Sequence, residues 1–192
     1  MNRPRAHVAL MPVFIAACVL LTAGAQAADQ KTKIDEKKSS ATSLEGKPAP
    51  EITQAAAMPP SGIIGEAAPD LRDKIAVLFF FPDPKEDDSV AECVGFRDLL
   101  DQSKDSKPII VGICPAPLMI PRRLIKHEKL NFPVIADGTK EISHQYNALG
   151  KEGRANRVTF VIDKKGIIRK VFEVKDAKRH PQEVFDYVKT MK

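Results

Sequence analysis

From Ile75 onward, unbroken apolar runs alternate with stretches in which apolar residues recur every three or four positions. Ile75 to Phe81 contains no polar residue, the pattern of a strand covered on both faces. Ser89 to Gln102 sets Cys93, Phe96, Leu99 and Leu100 on one face at helical spacing. Pro108 to Cys114 is a second buried strand, closed by Pro115 and Pro117. A short helix is expected over Arg122 to Glu128, a brief strand over Phe132 to Ala136, and a helix over Thr139 to Tyr146. Val158 to Ile162 and Ile167 to Phe172 flank Asp163-Lys164-Lys165-Gly166, which reads as a hairpin turn. His180 to Lys189 ends the chain as an amphipathic helix with Val184, Phe185 and Val188 on one face.

Strand–helix–strand–helix followed by a hairpin and a last helix is the element order of a thioredoxin-like fold: an α/β domain whose mixed central sheet is flanked by helices. The domain is expected over 46–192, opening at Gly46-Lys47-Pro48-Ala49-Pro50. A turn-rich connection, Met58-Pro59-Pro60-Ser61-Gly62, follows. Residues 28–45 hold almost no large apolar side chain, so burial cannot offset their ordering entropy and a flexible linker is expected.

Residues 1–27 read as a signal peptide. Arg3 and Arg5 form a positive start, Val8 to Leu21 is almost wholly apolar, and Ala25-Gln26-Ala27 supplies small residues for cleavage after Ala27. The apolar run is short of the roughly 20 residues a membrane span needs, so no integral span is expected. A second reading is a lipoprotein signal ending at Cys18, although Val19, Leu20 and Leu21 continue the apolar run beyond it. Either way the protein is expected in the periplasm or secreted.

Charge adds little to this picture. The chain carries 30 basic and 25 acidic residues, with Arg3 and Arg5 the only charges in the leader. Bases and acids are interspersed, as in Asp35-Glu36-Lys37-Lys38, and no basic stripe with interleaved aromatics points to nucleic acid. Beyond the leader only Cys93 and Cys114 remain, too few for a disulfide framework, so the core itself must hold the domain. His127, His144 and His180 lack ligand spacing, so neither a metal nor another cofactor is expected. The absence of Cys-x-x-Cys argues against a disulfide reductase.

Several segments together resemble one family. Val77-Leu78-Phe79-Phe80-Phe81-Pro82 followed by Gly95-Phe96-Arg97-Asp98 resembles the nucleophile region of peroxiredoxins of the bacterioferritin-comigratory type. Leu130-Asn131-Phe132-Pro133-Val134-Ile135-Ala136-Asp137 is similar to that family's next strand segment. Arg157-Val158-Thr159-Phe160-Val161-Ile162-Asp163 with Gly166 is similar to its arginine-bearing hairpin. The resemblance implies a thioredoxin-like fold, a hydroperoxide substrate and a thioredoxin-like reductant. It also implies the pattern Pro-x-x-x-Thr-x-x-Cys at a helix start. There a cysteine thiolate, favoured by the helix N-terminus and an arginine, attacks the peroxide and becomes a sulfenic acid.

Counted from Pro82, the threonine position holds Glu86 and the cysteine position holds Ser89. A serine oxygen has no oxidised state comparable to sulfenic acid. Glu86, Asp87 and Asp88 suit a helix entrance, with Asp88 expected as N-cap. Arg157 is the family's arginine position; it could pair with Glu86 or Asp87, or be a rim ion pair of little weight. Cys93, one turn beyond Ser89, is either a core residue or a displaced nucleophile. It falls one residue short of the Cys-x4-Cys resolving position, which is Val94. Cys114, at a strand end, is either buried filler or a redox partner of Cys93. Two functions follow: a peroxiredoxin-like binding or accessory module without catalysis, or an active thiol peroxidase using Cys93.

Overall fold

The computed structural model describes residues 40–52, 56–58, 66–103 and 107–191. Its strands are β1 (Ala56–Met58), β2 (Glu66–Ala67), β3 (Ala76–Phe80), β4 (Ile109–Cys114), β5 (Val134–Ala136), β6 (Val158–Ile162) and β7 (Ile168–Glu173). Its helices are α1 (Asp87–Gln102), α2 (Met119–Glu128), α3 (Glu141–Gln145) and α4 (His180–Thr190). The strands form one mixed sheet in the order β2-β1-β5-β4-β3-β6-β7. β3, β4 and β5 run parallel, while β6 and β7 turn back as an antiparallel hairpin beside β3. This is the thioredoxin-like α/β arrangement expected from the element order.

The apolar run at β3 works by alternation. Val77, Phe79 and Phe81 join a cluster with Cys93, Phe96, Leu124 and Val184 from the helices on one face. Ala76, Leu78 and Phe80 join Ile142, Tyr146 and Phe160 on the other. Because successive side chains point to opposite faces, a strand buried on both must be apolar throughout. Phe79 packs against Phe96 and Phe132, with ring centroids 4.7 and 5.7 Å apart, tying α1 to the sheet.

Four local expectations need correction. Residues 40–45 are ordered, where a flexible linker is expected from the sequence. Ala41–Leu44 forms a 3-10 turn with Ala41 buried, Gly46 N–H donates to the Ile168 carbonyl, and the Glu45 carboxylate accepts the Val171 N–H. Those backbone contacts hold a segment whose polar composition offers little burial. The N-cap of α1 is Glu86, not Asp88, and no side chain caps it; Asp87 and Asp88 lie in the first turn. The Asp83 carbonyl accepts Glu86 N–H and its carboxylate accepts Lys85 N–H, which starts the helix early. The second helix starts at Met119, because Pro121 is tolerated in a first turn that lacks intrahelical partners. α3 is shorter than Thr139 to Tyr146. Lys140 takes a left-handed conformation, and the buried Asp137 carboxylate accepts the N–H groups of Ile142 and Ser143.

The proposed signal peptide, the Cys18 alternative and residues 28–39 lie outside the described residues. Among the described residues no helix is long and apolar enough to cross a membrane.

Candidate functional site

Register places the first functional side chain. β6 runs antiparallel to β3 with Val158 opposite Phe80, so Arg157 lies just beyond the C-terminal end of β3. There the chain turns through Pro82 to Glu86 into α1. Ser89 sits in the first turn of α1, fully buried. Arg157 Nη2 donates to Ser89 Oγ at 2.9 Å and to Glu86 Oε2 at 2.8 Å. Its other terminal nitrogen, Nη1, donates to Glu92 Oε2 at 3.2 Å. Arg154 holds the second oxygen of Glu86. Ser89, Glu86 and Arg157 therefore meet in one network.

The network extends inward. Glu92 is three residues after Ser89, on the same face of α1, and its side chain has no solvent exposure. Its Oε1 has no hydrogen-bond partner and lies 3.8 Å from His180 Nε2 at the start of α4. His180 Nε2 shares a hydrogen bond of 2.8 Å with Thr159 Oγ1. Thr159 follows Arg157 by two positions and so shares its side of β6. Phe96 and Phe172 pack edge-on against the His180 ring.

Burial sets the protonation of this interior. It pushes Glu92 from 4.5 up to about 8, with Arg157 pulling the other way. It lowers His180 from 6.5 to about 4, so that imidazole is neutral at physiological pH. Arg157 is 15% exposed, so the rim ion pair of little weight is corrected to a largely enclosed one. Asp87 makes no ion pair among the described residues, and Glu86 takes that place.

Among the described residues neither thiol shares a hydrogen bond with the network; Cys114 Sγ faces the Ile135 carbonyl at 3.9 Å. Cys93 and Cys114 are free, buried, and members of the same apolar cluster. Burial raises both thiols above their ordinary value, and the neighbouring Glu92 adds to the effect on Cys93. Cys114, expected as either buried filler or a redox partner of Cys93, forms no disulfide with it.

Residues 45–171 match the AhpC/TSA family. The chain belongs to that family. It is a family of thiol-dependent peroxidases, and this AhpC/TSA chain is similar to several of its peroxiredoxins. Peroxiredoxin-2 of Bos taurus is 34% identical over 134 residues, covering 66% of this chain and 67% of that protein. The bcp peroxiredoxin of Haemophilus influenzae is 26% identical over 130 residues, covering 64% of this chain and 83% of its relative. Among solved structures, a cysteine-to-serine mutant of PrxQ from Xylella fastidiosa superimposes with a TM-score of 0.67 at 17% identity. That match covers 76% of this chain and 94% of the other. Peroxidoxin BcpB from Mycobacterium tuberculosis gives a TM-score of 0.61 at 20% identity, over 76% of this AhpC/TSA chain and 98% of the other. At these identities the structural likeness speaks for the fold alone.

Sequence reasoning missed Glu92, Arg154, Thr159 and His180. Glu92 did leave a signal, an acid on the same helical face as Ser89, Cys93 and Phe96. His180 left none, because its partners lie on distant segments. Among the described residues no group of His, Cys, Asp and Glu is arranged to hold a metal ion.

Proposed function

We propose that this AhpC/TSA chain is an exported peroxiredoxin-fold protein that does not reduce peroxides and serves as a binding or accessory module. One observation carries the reading: the guanidinium of Arg157 is committed to a serine hydroxyl and to the carboxyl groups of Glu86 and Glu92. A peroxidatic site needs a thiolate there and a cation free to stabilise it. Ser89 cannot accept an oxygen atom, and Glu86 claims both Arg154 and Arg157. Export rests on the leader pattern of Arg3, Arg5 and the apolar run from Val8 to Leu21. Cys93 is a poor substitute nucleophile, since it is fully buried and its thiol is held protonated.

The test is turnover of hydrogen peroxide and cumene hydroperoxide with a dithiol reductant. The unmodified protein should stay at background. Ser89→Cys alone should remain slow, because the new thiolate must compete with Glu86 for Arg157. Adding Glu86→Thr should raise the rate by roughly a hundredfold over the single variant, the scale of one restored hydrogen-bond donor. Robust turnover by the unmodified protein, abolished by Cys93→Ser, would refute the proposal.

A further inference from the structure

The outer face of α2 carries one sign of charge. Arg122 and Arg123 stand three and four residues after Met119, Lys126 follows them at four and three, and all are exposed, with Lys129 just past the helix end. Lys85 lies across an apolar groove of about 800 Å³ that Val90, Ile120 and Leu124 help to line. Several surface arginines and lysines elsewhere pair with acids, as in Arg72–Asp70, Arg97–Asp98, Arg169–Asp163 and Lys189–Asp186. Others among the described residues, Lys164, Lys165 and Lys175 included, stand unpaired without the helical clustering seen here. Among the described residues, Lys85, Arg122, Arg123, Lys126 and Lys129 likewise have no such partner. The acids nearest in sequence are Glu86, which pairs with Arg154 and Arg157, Asp83 and Asp87 on either side of Lys85, and Glu128, half-buried and held by His127 at 2.7 Å.

Helix stability accounts for only part of the stripe: Lys126 in the last turn and Lys129 at the C-cap suit the negative end of the helix dipole, but the arginines do not. α2 has no acid in its first turn, and Arg122 stands there at the positive end of the helix dipole, where a cation is disfavoured. At the head of the stripe Met119 is 51% exposed, the one large hydrophobic side chain in that state among the described residues. Half-buried Leu118 and Ile120 flank it.

We propose that this face docks on an anionic lipid bilayer, with the cations over headgroup phosphates and Met119 in the interface. A cationic helix face headed by an exposed apolar residue is the pattern of a surface-lying amphipathic element. Residues 119–129 contain no Phe, Tyr or Trp, so the face offers no stacking platform for nucleic acid. Each Lys or Arg near an anionic leaflet is worth about fivefold in affinity, which falls off within a Debye length.

The experiment uses the chain from Ala28 onward, which keeps the compact unit Ser39–Lys192 and omits the apolar leader segment. It should sediment with vesicles of phosphatidylglycerol and phosphatidylcholine at low salt, but not with phosphatidylcholine alone. Raising the salt to 0.5 M, roughly a 4 Å screening length, should release it. Arg122→Gln/Arg123→Gln/Lys126→Gln should weaken binding about a hundredfold with the melting temperature retained. Lys164→Gln/Lys165→Gln/Lys175→Gln, the same charge change elsewhere, should leave binding almost unchanged. The protein contains no tryptophan, so Met119→Trp supplies a single reporter whose emission should shift to the blue on anionic vesicles. Equal loss in both triple variants, no blue shift, or equally tight binding to polyglutamate would overturn the proposal.

Discussion

Glu92→Gln isolates the protonation of the buried network, because it keeps the side chain's size and removes its titration. Burial holds Glu92 at about 8, against 4.5 for an ordinary glutamate, and His180 at about 4 against 6.5. A carboxyl whose folded pKa is raised binds more protons folded than unfolded. Its contribution to stability is complete below pH 4.5 and is lost as pH rises through 8. His180 runs the other way: its folded pKa is depressed, so its contribution is complete above pH 6.5 and is lost as pH falls through 4. The two slopes oppose each other between pH 4.5 and 6.5, and only the glutamate's remains from 6.5 to 8. At about 1.4 kcal/mol per pH unit for one proton, that interval is worth ~2 kcal/mol. Urea unfolding of both proteins at half-unit steps from pH 6 to 8.5, at constant salt, reads the effect. The stability of the variant minus that of the wild type should rise by ~2 kcal/mol across the interval. Exposed histidines cancel in this difference. Two curves that stay parallel would show that Glu92 is ionised throughout and that Arg157 outweighs its burial.

Cys93 and Cys114 should react with an aromatic disulfide reagent at pH 8 roughly a thousandfold more slowly than a free thiol, limited by opening of the fold. Fast labelling of Cys93 in the native protein would contradict its burial. Gly95→Ala should destabilise the domain by about 1–3 kcal/mol, because the added methyl would lie 2.8 Å from Pro181 Cγ where α1 and α4 meet. An unchanged urea midpoint would refute that packing.

Much of the fold was legible because β-strands buried on both faces and amphipathic helices write strong periodic signals. Val158 to Ile162 was expected as a strand and is one, and the Asp163–Gly166 turn closes with Gly166 at φ +75° and the Asp163 carboxylate accepting the Lys165 and Ile167 N–H groups. β1 and β2 were not read, since strands of three and two residues carry no period and exist through pairing with β5 and each other. Ser40 to Glu45 escaped for a related reason: its partners are backbone groups of β7, invisible in composition. At the site, the motif spacing brought Ser89, Glu86 and Arg157 together on paper, and all three meet. The interior half was illegible, because Glu92 joins residues 157 and 180 only once three separate elements have packed.

The short turn at Ala41–Leu44 has a consequence for how the chain can be cut. β7 is the outermost strand on its side of the sheet, and an outer strand with free N–H and C=O groups is a template for a second chain. The segment after Ser40 occupies part of that template: Gly46 donates to Ile168, Lys47 accepts from it, and Glu45 takes the Val171 N–H. Cleavage at residue 46, where polar composition invites it, would remove the Glu45 contact and leave Gly46 and Lys47 on a free chain end, opening the strand to a neighbour. The polar stretch thus ends as a guard rail on the sheet, and self-association after trimming is the hazard it averts.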